Sequence, residues 1–347
     1  MLNPRSSSRR AFTLVELLVV VAVIALLIGI LVPALGGARK EAQRLTIMNN
    51  LRSIATAVNS YGATNQVMPP SYVYGSKPTG GSWRVQDQVD DNPNENNGYV
   101  HWSYAVVGED TTESEAFESP MTTNGGAPRT NPGPNAEDWE LSWQRDDTSS
   151  STPQANPTDR QARRVAFAGN AAIFPRNKFA DPRLLGSSRK NILVNPSIIK
   201  APSRTILATE FLDRASWRSI EDPADAPFVC KSHRSIQPFV ALGQSSVYDE
   251  PDQSGRKKPQ FAVPKISSLL SYSQLGESML DQQSHDLNAV GRDHPGGDKE
   301  FGGTTHFLYL DGHVERQSLR DTLTNGLWGD RFYSLSGGNT KILNQNE

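Results

Sequence analysis

The chain has 347 residues, 36% of them hydrophobic and 21% charged, enough for one large or two modest globular domains. Its 35 Lys and Arg against 37 Asp and Glu give a formal charge of -2 and no global basic field for a nucleic acid. One cysteine, Cys230, excludes an intramolecular disulfide framework and any multi-thiolate zinc or iron–sulfur centre.

Apolar residues concentrate at the amino end. From Leu17 to Leu35 the run LLVVVAVIALLIGILVPAL contains nothing but apolar residues, glycine and proline. A helix needs about 20 such residues to cross a bilayer core, and this run is of that length. Glu16 is the only charge between Arg10 and Arg39, and no face of the helix is polar, unlike a helix buried in a soluble domain. Arg5, Arg9 and Arg10 precede the span, while Arg39, Lys40, Arg44 and Arg52 follow it. Positive charge therefore does not orient the span by itself. A cleaved secretory signal has a shorter apolar stretch. A plain signal anchor fits the length but leaves the residues around Glu16 without a role.

Those residues read Arg9-Arg10-Ala11-Phe12-Thr13-Leu14-Val15-Glu16-Leu17-Leu18. The stretch resembles the processing site of type IV prepilins and type II secretion pseudopilins. The resemblance implies a leader, residues 1–11, cut between Ala11 and Phe12, with Phe12 becoming an N-methylated terminus. It also implies an assembly role for Glu16 and a helix kink at Pro33. Ala11 departs from the glycine usual before the cut. A carboxylate at the edge of a membrane segment ordinarily has a partner. The amine freed at Phe12 would stand four residues from Glu16, in the same chain or across to a neighbouring subunit. The unpartnered alternative is a carboxylate reaching the headgroup layer.

Beyond Gly36-Gly37, apolar residues recur at Leu45, Met48, Leu51, Ala55 and Val58, with Tyr61 a turn later. These intervals predict a helical stripe that continues the membrane helix (12–35) through 36–61 and lies on a sheet. Pro33 and the glycine pair are expected to bend or locally melt it. Gly62 and Met68-Pro69-Pro70 are expected to end it.

Residues 75–160 are rich in Asn, Pro, Gly, Ser, Thr and Asp and read as variable loops, with 99–107 (YVHWSYAVV) a candidate strand. Asp90, Asn92 and Asn94 do not complete a calcium loop, because Glu95 stands where glycine is needed and His101 where glutamate is. Trp139 and Trp143 suggest a short helix over 137–147 covering a small core. After Arg164, residues 165–174, 192–194 and 205–211 (TILATEF) read as strands. Cys230 and His233 lie close in sequence without the partners of a catalytic triad.

Four of the six histidines fall between His285 and His313. Asp311-Gly312 predicts a two-residue hairpin turn, with Leu310 facing His313 and Leu308 facing Glu315. In that register His306 and His313 lie roughly 13 Å apart along the ribbon and cannot chelate one ion. Arg292-Asp293-His294-Pro295-Gly296-Gly297 and Asp311-Gly312-His313-Val314 resemble the two halves of a processing-associated region found in many prepilin-like proteins. The gap between His294 and Asp311 is longer than in that region, as though 298–303 belonged to an extended loop. TILATE resembles the strand upstream in the same group. His294 has three readings: a hydrogen bond to a turn, a metal ligand with Asp293 or Asp298, or an exposed side chain.

The expected fold is α+β and pilin-like, a long amino-terminal membrane helix on an antiparallel sheet with long irregular loops. Residues 62–347 form the extracytoplasmic domain. The expected function is a structural subunit of a pilus or a type II secretion pseudopilus, anchored in the cytoplasmic membrane. Its expected partners are a prepilin peptidase/N-methyltransferase and other pilin-like subunits, with no nucleic acid, no cofactor and no metal. The rival is a membrane-anchored module that binds a glycan or protein without polymerising. No G-x-G-x-x-G, P-loop, H-E-x-x-H or G-x-S-x-G motif is present, so no enzyme is expected.

Overall fold

The computed structural model of the chain describes residues 13–74, 99–108, 114–129, 132–139, 159–176, 191–212, 235–243, 247, 260–275, 286–336 and 342–346. Ala11, Phe12, the acidic stretch at 90–95, Trp143, Cys230 and His233 lie outside them.

Helix α1 runs from Leu14 to Asn65. It is unbroken through Pro33, Gly36 and Gly37, so the local melting expected there does not occur. Pro33 removes one hydrogen bond, to the carbonyl of Gly29, and the rest of the ladder holds the helix together. Gly62 does not stop it either. The helix ends four residues beyond Tyr61, where Gln66 takes a φ of 60° and its N–H closes on the Gly62 carbonyl at 2.8 Å.

The chain divides into two units between Thr46 and Ile47. In the first, every residue from 13 to 42 is exposed. In the second, Ile47, Leu51, Ile54, Ala55, Val58 and Gly62 are buried. Leu51, Ala55 and Val58 of the expected stripe are buried, but Leu45 is 54% exposed, and Ile47 and Ile54 complete the contact instead. Each fully buried Ile, Leu or Val there contributes about 1.5–3 kcal/mol.

Among the described residues the strands are β1 (Tyr72–Tyr74), β2 (Tyr99–His101), β3 (Phe167–Gly169), β4 (Ile206–Glu210), β5 (Val240–Ala241), β6 (Phe261–Val263), β7 (His294–Asp298), β8 (Gly302–Tyr309), β9 (Val314–Ser318) and β10 (Ile342–Asn344). The main sheet is antiparallel, with β8 pairing β4, β7 and β9, and β4 pairing β3. A smaller sheet joins β5, β6 and β10, and its β6–β10 pair is parallel. Two short helices, α2 (Trp102–Val107) and α3 (Leu319–Thr324), flank these strands in the chain. Only 99–101 of the expected 99–107 strand is extended; His101 then caps α2 by accepting the Ser103 N–H. No strand forms at 192–194.

Side chains alternate along β8. Leu308 and Leu310 join the cluster that holds the buried stripe of α1, with Leu207, Trp102 and Phe117. Phe307 and Tyr309 join the opposite cluster, with Phe261, Leu323, Trp328 and Phe332. The sheet thus separates two cores. On β4 the register shifts between Ile206 and Ala208, which puts Leu207 and Ala208 in one cluster.

The β8–β9 turn differs from expectation. Leu308 pairs with Val314 and Phe307 with Glu315. Tyr309 N–H donates to His313, and Gly312 N–H to Tyr309, leaving a three-residue loop in which Gly312 takes a φ of 92°. Gly312 is the left-handed bulge residue of a three-residue hairpin. The one-residue slip moves Val314 to the Leu308 face and lets His313 stack on Tyr309, with ring centroids 4.2 Å apart.

Residues 298–303 build the β7–β8 turn, where Asp298 Oδ1 accepts the N–H groups of Glu300 and Phe301. The backbones there approach very closely. A Cβ on Gly303 would sit 1.9 Å from the His294 carbonyl oxygen and 2.7 Å from that of Arg292. Gly303→Ala is expected to cost about 1–3 kcal/mol, read from the unfolding midpoint of the full chain. An unchanged midpoint would refute the close approach.

Candidate functional site

Two places carry chemistry. The first is the start of α1. Thr13 N–H and hydroxyl donate to Glu16 Oε2 at 2.9 and 2.8 Å, and Glu16 N–H donates back to the Thr13 hydroxyl at 3.2 Å. This reciprocal pair is a capping box, Thr-x-x-Glu, which satisfies amide groups that the first helical turn leaves without partners. The signal stands in the sequence, where the charge of Glu16 hides it. Glu16 is therefore a helix cap as well as the one carboxylate beside an apolar span.

The second place is where β4, β7 and β8 meet. Glu210 closes the fully buried strand β4, one step beyond the Thr209–Phe307 pair. His294 opens β7, held in register opposite Thr304. His294 Nε2 lies 2.8 and 2.9 Å from the two Glu210 oxygens. His306 Nδ1 lies 2.7 Å from Glu210 Oε1, which also accepts the His306 N–H at 2.9 Å and the Thr305 hydroxyl at 3.2 Å. The two rings meet edge to face, centroids 4.7 Å apart. All three side chains are at most 7% exposed.

Burial alone would push the Glu210 carboxyl up, but the hydrogen bonds and charge of His294 and His306 win and bring it down to about 2. A buried carboxylate thus stays ionised because two imidazoles hold it. A cavity of about 20 Å³ adjoins it, lined by Glu210, Phe211, Gly291, Asp293, His294 and Thr305 among others.

His294 is therefore neither exposed nor bonded to a turn, and its carboxylate partner is Glu210 rather than Asp293 or Asp298. Asp293 instead accepts the Tyr272 hydroxyl at 2.7 Å, and Asp298 serves its own turn. Asp311 and Gly312 are not drawn to His294. Thr304, the partner of His294, stands seven residues before Asp311, roughly 20 Å along an extended strand. Asp311 Oδ1 meets the His313 ring at 2.6 Å in the exposed turn. The sequence alone places His306 in a histidine-rich stretch without a partner and does not mark Glu210 as a site residue. The one signal for Glu210 is a carboxylate ending a strand that begins Ile-Leu-Ala.

Residues 6–32 match the family model described as the prokaryotic N-terminal methylation motif. The amino-terminal segment is thus type IV pilin- or pseudopilin-like. The match stops before the globular part, so the carboxy-terminal His and Asp-Gly resemblance has no support from it. No curated protein and no solved structure matches the chain. With one helix long and apolar enough to cross a membrane among the described residues, the motif indicates a single-pass, membrane-anchored protein.

Proposed function

We propose that this chain is a prepilin-like structural subunit, cut between Ala11 and Phe12 by a prepilin peptidase and N-methylated at Phe12. Its amino-terminal helix then assembles with those of other pilin-like subunits into a pilus or a type II secretion pseudopilus. The domain beyond the helix lies outside the cytoplasmic membrane.

The observation that carries this reading is the methylation-motif match over residues 6–32. Two features of the same segment support it. The helix exposes apolar side chains continuously, from Leu14 at 81% to Leu35 at 70%, a surface that only lipid or neighbouring helices can cover. The Glu16 carboxylate stands at its first turn, beside the position where cleavage would create an ammonium group.

Amino-terminal sequencing and intact-mass measurement of the membrane-extracted protein are expected to show a chain beginning at Phe12 and heavier by one methyl group. A chain still beginning at Met1 would reduce the molecule to a simple tether, one cut after Ala34 would have lost its apolar span, and either result would end the assembly model.

A further inference from the structure

We infer that Glu210, His294 and His306 form a binding site for one divalent transition-metal cation, with Zn²⁺ the best fit to the ligand set. The site is separate from the cleavage and assembly chemistry, and it stands or falls independently of it.

The donor set comes first. Two imidazole nitrogens and one carboxylate oxygen, each on a different strand, lie within 4.8 Å of one another. Mixed nitrogen and oxygen donors suit zinc and its neighbours, whereas calcium and magnesium take oxygen ligands throughout. Two histidines and a glutamate, with a fourth position left to water, is an established zinc arrangement.

The geometry is already close. Glu210 Oε1 is 2.8 Å from His294 Nε2 and 2.7 Å from His306 Nδ1. Around a tetrahedral ion with bonds of about 2.0–2.1 Å, neighbouring ligand atoms stand roughly 3.3 Å apart. The two pairs that include Glu210 Oε1 need to open by only about half an ångström, which a small turn of the carboxylate supplies, and the two imidazole nitrogens already lie within 4.8 Å of each other. The main-chain N–H of His306 holds the carboxylate from one side at 2.9 Å.

Charge and hydrogen bonding point the same way. The Glu210 carboxyl is buried, and its partners are two imidazoles, a hydroxyl and a backbone N–H. A cation between those ligands would sit among three donor atoms that already converge. His294 Nδ1 is buried with no hydrogen-bond partner among the described residues. A metal-bound imidazole characteristically uses its second nitrogen on an outer partner. The 20 Å³ cavity that His294 and Glu210 line has room for one water, which can fill the open coordination position or meet that nitrogen.

The ion would tie β4, β7 and β8 together at the point where chain segments 84 and 96 residues apart converge. Because an unfolded chain holds no such site, binding would add to folding stability.

The test uses the full-length, tag-free chain in detergent, stripped with a chelator and titrated with Co²⁺ and separately with Zn²⁺. Elemental analysis is expected to find one ion per chain. The Co²⁺ form is expected to show visible ligand-field bands of a four-coordinate nitrogen and oxygen site. Zn²⁺ is expected to raise the melting temperature and chelator to reverse the rise. His294→Gln and His306→Gln should each weaken binding by at least about tenfold, while His313→Gln, at an exposed histidine, should leave it unchanged. Substoichiometric binding by the wild-type chain, or stoichiometric binding that survives both cluster substitutions, would overturn the site. So would loss of binding in His313→Gln. The wild-type titration decides the matter without any variant, so a substituted chain that fails to fold leaves the site open to refutation.

Discussion

Replacing Glu210 with alanine is expected to destabilise the globular part by about 3–5 kcal/mol, the usual consequence of removing one member of a buried, hydrogen-bonded charged cluster. The carboxylate accepts from His294, from Thr305 and from both the ring and the backbone of His306. Alanine would leave two buried imidazoles, a hydroxyl and an amide without the acceptor they share. Glu210→Gln fills the same volume and keeps one carbonyl oxygen, so it should lose about 1.5–3 kcal/mol, the worth of a hydrogen bond to a charged acceptor. Urea or thermal unfolding of the full chain, in chelator so that no ion contributes, measures both. An alanine variant within about 1 kcal/mol of wild type would mean that the three strands meet without needing this carboxylate.

How much of that cluster is legible in the sequence follows from where its members sit. His294 draws notice because it stands beside Pro295-Gly296-Gly297, but Glu210 is 84 residues upstream and His306 lies on the next strand. Only the pairing of β4 with β8 puts Glu210 beside His306, and strand pairing over such separations leaves no periodic trace in a sequence. The turn shows a subtler limit. Asp311-Gly312 does mark a hairpin turn, yet the dipeptide does not fix whether Gly312 is the second turn residue or the bulge after it. That single count decides which side of the sheet receives Val314 and which receives His313.

The helix stripe is ambiguous for a similar reason. Leu45 and Met48 are as apolar as Ile47 and Ile54, and the sheet below chooses among them. The apolar segment is legible in the sequence, because a run from Leu17 to Leu35 without a polar side chain has the length of a membrane span. The α+β class is legible too, since a long apolar helix followed by turn-punctuated apolar runs has few other solutions.

Glu16→Ala is expected to abolish incorporation of the subunit into filaments, but that variant alone would not say why. Glu16 accepts both Thr13 donors at the first turn of α1, so alanine removes a helix cap and a charge together. Glu16→Gln separates them. Glutamine is an accepted partner in the Thr-x-x-Glu/Gln box, so it preserves the first turn while deleting the negative charge.

If assembly depends on attraction between this carboxylate and the ammonium of a processed Phe12, both variants should be processed normally and both should fail to enter filaments. The two charges would meet where apolar surroundings keep water out, which strengthens their attraction. A neutral amide offers no substitute for it. Should Glu16→Gln assemble like wild type while Glu16→Ala does not, the cap alone matters, and register between subunits must be set by the apolar surface of the helix. Immunoblotting of sheared filament fractions against membrane fractions reads the outcome, with leader removal scored on the same blots. Normal assembly of both variants would leave the carboxylate without a part in polymerisation, and the apolar surface of the helix would then have to drive assembly by itself.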